Sequence, residues 1–339
     1  MKKRKKRRNK KLSISVALIA VFILALCGGI SVIHVLNDAK DLDLTMPYDE
    51  QDFNLDQVVE HDLQTTHGFA SDLCVMEGDV ANSNITMEGN SIGGLFNMDS
   101  KTVLFSKSAY DSVYPASITK IMTAILAEKY GNMDDMVTIA PEDVNLEEGS
   151  QVIGFQVGDT VSMRELFHGL LIYSGNDAAM AIARQVGGTI ENFVTMMNQE
   201  AHELGCFDTH FMNPSGLHDA SHFTSVYDVY LMLNEALKYP LFTQVMQLSV
   251  YNLTYTKADG TQMNVNLDST DKYLTREKEA PKGITVLGGK TGTTSIAGNC
   301  LALVSQNTYG QPHVSIILRA ANKTSLYDQM NMLLAETNQ

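Results

Sequence analysis

The chain alternates between segments with helical spacing of apolar residues and short apolar runs of strand length. A helix is predicted from Ser117 to Gly131, because its apolar residues follow the i, i+3, i+4, i+7, i+8 spacing. These residues are Ile118, Ile121, Met122, Ile125 and Leu126. Further helices are predicted over residues 162–173, 177–188, 189–205, 225–239 and 324–335. Two of them begin with capping boxes, which are Ser162 with Glu165 and Ser225 with Asp228.

Strand patterns flank these helices on both sides. The stretch "SIGGLFNMDSKTVLFSKSA" predicts two strands joined by a turn at residues 98–101. After Gly289, the runs "GKTGTTS", "GNCLALVSQ" and "HVSIILRAAN" predict three more strands. Strands at both ends with helices between them indicate one α+β domain. We expect an antiparallel sheet in which the two outer sequence segments pair and helices cover the faces.

The N-terminal residues have a composition unlike the rest of the 339-residue chain. Residues 2–11 contain nine Lys or Arg, whereas residues 12–36 contain no charged residue. Twenty-five helical residues span roughly 37 Å, more than the ~30 Å hydrocarbon core of a bilayer. We therefore predict a basic cytoplasmic segment over 1–11 and an uncleaved transmembrane signal-anchor over 12–36. A cleaved signal peptide, or a lipoprotein box ending at Cys27, is the alternative.

An acidic spacer is predicted over residues 37–66, which hold nine acids and one lysine and show little periodicity. An extracytoplasmic domain is then predicted over 67–339. The formal net charge of −14 includes the basic start, so the body of the protein is more acidic still. This charge argues against nucleic acid as a partner.

Cys74, Cys206 and Cys300 form no disulfide framework, and we interpret them as small buried hydrophobic residues.

Ser117 and Lys120 are the first candidates for chemistry. They lie one helical turn apart and therefore share a face of the predicted helix. A serine hydroxyl becomes a nucleophile when a base takes its proton, and a lysine is such a base when desolvation lowers its pKa. Spacing alone is weak evidence, since roughly one Ser-x-x-Lys per chain of this length arises by chance. A second copy, Ser269 to Lys272, lies in a polar stretch.

Two later motifs strengthen the first one. Ser174-Gly175-Asn176 lies between two predicted helices, and Lys290-Thr291-Gly292 opens a predicted strand. The order Ser-x-x-Lys, Ser-x-Asn, Lys-Thr-Gly is the signature of penicillin-binding proteins and serine β-lactamases.

From about residue 90 to the C-terminus the chain resembles the D-alanyl-D-alanine carboxypeptidases, the low-molecular-mass penicillin-binding proteins. The stretches that carry the resemblance are "YPASITKIMTA", "LLIYSGNDAAMAIA", "FVTMMNQEAHELG", "THFMNPSGLHDASHFTSVYD" and "GGKTGTTSIAGNCLA". The resemblance implies a β-lactamase/penicillin-binding transpeptidase-like fold, with a helical subdomain beside the sheet. It also implies that residues 67–339 are a serine carboxypeptidase domain, which removes the terminal D-alanine from peptidoglycan stem peptides through an acyl-enzyme. Such a protein would bind β-lactams covalently and need no cofactor or metal.

The resemblance assigns a role to each motif residue. Ser117 would be the acylated nucleophile, Lys120 its general base, and Ser174 a proton relay towards the leaving group. Asn176 would bind the substrate amide. Lys290 and Thr291, in the last motif, would position the substrate and its carboxylate. The backbone N–H groups of Ser117 and Thr293 would form the oxyanion hole. The substrate-binding set is Asn176, Lys290, Thr291, Gly292 and Thr293.

One departure leaves carboxylate recognition open. Many members of the family carry an arginine just before the last helix, which helps to bind the terminal carboxylate. The matching position here is near Leu326, with Arg319 and Lys323 as neighbours.

Three other functions remain alternatives. A D,D-endopeptidase would use the same site, and a serine β-lactamase would share the motifs, although the Glu-x-x-Leu-Asn pattern of one large class is absent after Asn176. The third alternative is a membrane-tethered binder that lacks turnover. His218 and His222 with Asp219 form no zinc motif, so we predict a loop role for them, and we interpret Glu147 and Glu148 as solvated charges.

Overall fold

The computed structural model describes residues 70–339, which form two antiparallel sheets and a group of helices. The strands within this range are β1 (Ile92–Asn97), β2 (Thr102–Lys107), β3 (Met136–Thr138), β4 (Thr160–Ser162), β5 (Val250–Thr256), β6 (Gln262–Asp268), β7 (Thr285–Thr294), β8 (Gly298–Gln306) and β9 (Pro312–Ala320). The α-helices of the described residues are α1 (Lys120–Tyr130), α2 (Pro141–Val144), α3 (Met163–His168), α4 (Asn176–Gly187), α5 (Ile190–Glu203), α6 (Val226–Ala236), α7 (Pro240–Val245) and α8 (Lys323–Glu336).

The larger sheet has the strand order β2-β1-β9-β8-β7. Strand β1 pairs with β9, with Ile92 opposite Leu318, so the predicted pairing of the two outer sequence segments is confirmed. Alternate residues of β8 and β9 enter two different cores. Leu301 and Ile317 pack with α8 on one face, whereas Ala302 and Ile316 face the helical layer on the other. Burial of both faces explains why these strands are almost continuously apolar.

A second sheet, with the order β3-β4-β5-β6, was not predicted from the sequence. Strands β3 and β4 have only three residues each, and β5 and β6 expose many polar side chains. Short and half-exposed strands carry little hydrophobic signal. The α+β class, with an antiparallel sheet, flanking helices and a helical subdomain, is nevertheless confirmed.

The predicted helix that begins at Ser117 needs a correction. Residues Ala116–Thr119 form a single 3₁₀ turn, and the α-helix α1 begins at Lys120. The predicted helix over 162–173 is also divided, since α3 ends at His168 and a π-helical turn continues to Tyr173. Pro240 not only follows α6 but also begins α7, where its missing N–H costs nothing.

The predicted segments 1–11, 12–36 and 37–66 fall outside the residues that the structure describes. Within residues 70–339, no helix combines the length and the apolar character that a membrane crossing requires.

Candidate active site

The candidate nucleophile lies on a tight backbone turn. Ala116 has a φ of 49°, in the left-handed region that alanine rarely adopts, and Ser117 follows it in the 3₁₀ turn. The Ser117 side chain is half-buried at the floor of a cleft of about 350 Å³. The turn therefore presents the hydroxyl to a space large enough for a small peptide segment.

Lys120 lies directly behind this hydroxyl and is completely buried. Its Nζ is 3.0 Å from Ser117 Oγ, 2.6 Å from Asn176 Oδ1 and 2.6 Å from the Ser215 carbonyl oxygen. Burial lowers the pKa of Lys120 well below its usual value, and the positive charge of nearby Lys290 lowers it further.

This geometry suits a neutral amine. An uncharged lysine has two N–H donors, and the two carbonyl oxygens of Asn176 and Ser215 accept both of them. Its lone pair is then left for the hydroxyl of Ser117, 3.0 Å away. The arrangement is one that a general base and its nucleophile would require.

The second motif follows a π-helical turn. Ser174 ends this turn with a φ of 65°, and Asn176 is the first residue of α4. The left-handed conformation of Ser174 reverses the chain between the turn and α4, so that both side chains line the cleft. Lys290 Nζ donates to Ser174 Oγ at 2.8 Å, so the second and third motifs are in direct contact.

A buried carboxylate braces this motif. Asp177 accepts hydrogen bonds from the backbone N–H groups of Ile153 (3.0 Å), Gly154 (2.9 Å) and Ala178 (2.9 Å). Burial raises the pKa of Asp177, and these N–H donors oppose that rise. The loop between α2 and β4 is thereby held against Ser174-Gly175-Asn176.

The third motif lies on β7, at the edge of the larger sheet. Lys290 is buried, which lowers its pKa to about 7, and its Nζ also donates to the Thr291 carbonyl oxygen at 2.9 Å. A Cβ atom at Gly292 would be only 3.0 Å from the Ser117 backbone nitrogen. Glycine at this position therefore allows β7 to approach the 3₁₀ turn Ala116–Thr119, which we call the nucleophile turn. Both Ser117 and Thr293 line the cleft.

The rim of the cleft carries charges of both signs. Glu147 and Glu148 line one wall, and Lys272 and Lys323 line another. The two glutamates are exposed, as expected for solvated charges, but they also border the candidate site. Lys272 forms an ion pair with Glu277 at 2.7 Å.

The structure separates the two Ser-x-x-Lys motifs by environment. In the second motif, Ser269 Oγ accepts from the Asp271 N–H, while Lys272 turns to Glu277. Its serine and lysine do not form the nucleophile–base contact that Ser117 and Lys120 form.

Some residues of the site carried no usable sequence signal. Ser215 contributes only its backbone carbonyl, and Thr270 contributes a hydroxyl that lies 2.6 Å from Thr291 Oγ1. His222 lies in the buried layer behind the nucleophile turn and contacts Thr119.

No cluster of three metal-ligating side chains occurs in residues 70–339. Cys74, Cys206 and Cys300 are all buried and free, as interpreted from the sequence.

Comparison with known proteins gives a consistent result. The family model described as D-alanyl-D-alanine carboxypeptidase matches residues 85–322. The chain is 35% identical to D-alanyl-D-alanine carboxypeptidase DacF of Bacillus subtilis, over 61% of this chain and 51% of DacF. It is 32% identical to DacC of Escherichia coli, over 71% of this chain and 59% of DacC. The matches thus span between half and two thirds of these relatives.

Solved structures show the same relationship. A variant of the Streptomyces K15 DD-transpeptidase superposes with a TM-score of 0.69 at 25% identity, covering 74% of this chain and 98% of that one.

Proposed function

The chain belongs to the D-alanyl-D-alanine carboxypeptidase family, and from this premise we propose that it removes the terminal D-alanine from peptidoglycan stem peptides. The observation that carries the proposal is the contact between Ser117 Oγ and a completely buried Lys120 amine. Such a pair makes an acyl-enzyme at Ser117 without a metal or cofactor.

Acylation begins when Lys120 takes the hydroxyl proton and Ser117 Oγ attacks the carbonyl carbon of the penultimate residue. The backbone N–H groups of Ser117 and Thr293 face the oxyanion that develops. The C–N bond then breaks, and the amine of D-alanine leaves with a proton that passes from Lys120 by way of Ser174. Lys290, which donates to Ser174 Oγ, orients that relay.

Deacylation uses the same residues in reverse. Water takes the place of the departed D-alanine, gives a proton to Lys120 and attacks the ester carbonyl. Lys120 returns this proton to Ser117 Oγ as the ester bond breaks, and the shortened peptide leaves as an acid that ionises to the carboxylate in water. A β-lactam acylates the same hydroxyl, but its opened ring keeps the former leaving group attached, so the adduct persists.

Recognition of the terminal carboxylate falls to Thr291 and Lys323 in this proposal. Both line the cleft, and Lys323 forms no ion pair with any carboxylate in the described residues. Lys272 is less suited to this role because Glu277 already neutralises it. A lysine on the rim thus takes the place that an arginine holds in many relatives.

We also propose that the protein is a single-pass membrane protein with residues 1–11 in the cytoplasm, residues 12–36 across the membrane and the catalytic domain outside. The support is the composition of these segments. The mass and N-terminal sequence of the mature protein test this proposal, since a chain that begins near residue 28 would contradict an uncleaved anchor.

The test of the activity uses the full-length chain in detergent. D-alanine release from a D-Ala-D-Ala peptide is measured, and mass spectrometry after penicillin treatment should show one adduct, on Ser117. Ser117→Ala should abolish both. Rapid turnover of nitrocefin would favour a β-lactamase, preference for a crosslinked peptide would favour an endopeptidase, and an adduct without D-alanine release would favour a binder.

A further inference from the structure

The residue before the nucleophile has a backbone conformation that needs support. Ala116 has a φ of 49°, in the left-handed region that is unfavourable for an L-residue with a Cβ atom. Ser117 owes its direction to this turn, so whatever holds Ala116 also aims the hydroxyl and the adjacent N–H group. Ala116 is buried, and the support must therefore come from protein groups.

The Ala116 carbonyl is held from two sides. Thr119 Oγ1 donates a hydrogen bond to the Ala116 oxygen at 2.9 Å. The backbone of Gly216 packs against the same carbonyl so closely that a Cβ at position 216 would be 1.9 Å from the oxygen. The contact with Gly216 leaves no room for a side chain at position 216. The hydrogen bond from Thr119 depends on how the Thr119 hydroxyl is oriented.

His222 determines that orientation. Its Nε2 is 2.9 Å from Thr119 Oγ1, and its Nδ1 is 3.3 Å from the Met212 backbone N–H. Since an N–H group can only donate, Nδ1 must be the acceptor, and Nε2 therefore carries the ring proton. Nε2–H donates to Thr119 Oγ1, and the threonine proton is left to bond Ala116.

The environment keeps this tautomer uncharged. His222 and Thr119 are both buried, and burial lowers the pKa of His222 to about 4. A second ring proton would face the Met212 N–H and remove the acceptor. The chain of donors from Met212 through His222 and Thr119 to Ala116 thus has one consistent direction.

We propose that His222 is a positioning residue, which fixes through Thr119 the backbone turn that presents Ser117 to the substrate. The inference rests on the proposed function, because its readout is acylation of Ser117. His222 contacts neither Ser117 Oγ nor Lys120 Nζ, so its effect is on the geometry of attack rather than on proton transfer.

The test compares two amides at position 222 in the full-length chain. The amide nitrogen of His222→Gln reaches about as far as Nε2 and keeps the donor to Thr119, whereas that of His222→Asn reaches only as far as Nδ1 and loses it. The Asn variant should be acylated by a fluorescent penicillin about ten- to a hundredfold more slowly, the range expected of a misplaced nucleophile. The Gln variant should remain within about threefold of the wild type.

Thr119→Val provides an independent route to the same bond. It should match His222→Asn, and the double variant should be no slower than either single variant, because both remove one interaction. For the peptide substrate, the loss should fall on kcat, with KM little changed. His313→Asn is the matched control, since this buried histidine on β9 does not line the cleft and its ring hydrogen-bonds to the Gln311 carbonyl, so that its replacement should affect stability and leave acylation unchanged.

Different failures point to different errors. If the wild type is acylated and both His222→Asn and Thr119→Val are acylated at its rate, the positioning role is wrong and the proposed function stands. The role is also wrong if the two defects multiply in the double variant. If the wild type is not acylated, the proposed function itself fails. Should His222→Asn not fold, Thr119→Val alone decides, because valine fills the same volume.

Discussion

The two ends of helix α1 carry lysines in opposite circumstances. Lys120, at the first residue, is completely buried, and no carboxylate in the described residues forms an ion pair with it. Lys129, in the last turn, is one third exposed and donates to both carboxylate oxygens of Glu200, at 2.7 and 2.9 Å. The pKa is lowered at Lys120 by burial and raised at Lys129 by Glu200.

The difference separates a lysine suited to base catalysis from a structural cation. A helix dipole favours a positive charge at the C-terminal end and disfavours it at the N-terminal end. Lys129 follows this rule, and it also neutralises the nearly buried Glu200. Lys120 violates it, since a charged amine there lacks both solvent and a counter-charge. Such a group remains useful only as a neutral base, which is the role that its contact with Ser117 allows.

The largest effect is expected for Lys120→Met. Removal of the base should slow acylation of Ser117 by about three orders of magnitude. The free energy of unfolding should not fall, because methionine fills the space without a desolvated amine. Stopped-flow acylation and urea unfolding measure the two quantities. A variant that is acylated within tenfold of the wild-type rate would show that another group takes the proton.

Lys129→Met is the matched substitution at the other end of the helix. It leaves the carboxylate of Glu200 buried without its cation, so the free energy of unfolding should fall by about 2 kcal/mol. Acylation should stay within about twofold of wild type. If Lys129→Met instead slowed acylation while stability was unchanged, the division between a functional and a structural end would be wrong.

The candidate site at the N-terminal end of α1 could be recognised from the sequence, because the residues proposed to carry the chemistry act through their side chains. Ser117, Lys120, Ser174, Asn176 and Lys290 occur in three ordered motifs, and the structure brings all three motifs to one cleft. The pairing of β1 with β9 was also predictable, from apolar runs at the two ends of the domain.

Other parts of the site were hidden for physical reasons. The Ser215 carbonyl is a backbone acceptor that any residue would provide, so its identity carries no signal. The bond from His222 to Thr119 joins positions 103 residues apart, and no local pattern links them. Lys272 reaches the rim of the cleft only because the segment after β6 folds back over it.

The contrast between buried and exposed lysines can also be tested at the second buried lysine, Lys290, through the dependence of the free energy of unfolding on pH. Its pKa is lowered to about 7 by burial, whereas a lysine in the unfolded chain keeps an ordinary value near 10.4. Between pH 7 and pH 9 the unfolded chain therefore binds more protons than the folded one, and the free energy of unfolding should rise with pH. One such lysine contributes at most about 1.4 kcal/mol per pH unit.

The measurement is urea unfolding of wild type and Lys290→Met across that range. The difference between the two removes the contribution of groups that do not interact with Lys290, and it should rise towards pH 9 in favour of the wild type. Parallel curves would mean that Lys290 is charged in the folded protein and has a counter-charge.

The smallest effect concerns Lys323, a lysine at the first residue of α8 on the rim of the cleft. Like Lys120 it opposes the helix dipole, but its side chain is exposed to solvent. Lys323→Gln should therefore stabilise the protein by a few tenths of a kcal/mol, and it should raise KM for a D-Ala-D-Ala peptide about two- to fivefold. Lys282→Gln, an exposed lysine outside the cleft, controls for net charge, and the effect on KM should shrink at high salt. If the protein became more stable and KM did not change, Lys323 would have no role in substrate binding. Thr291 would then remain as the residue proposed to bind the carboxylate.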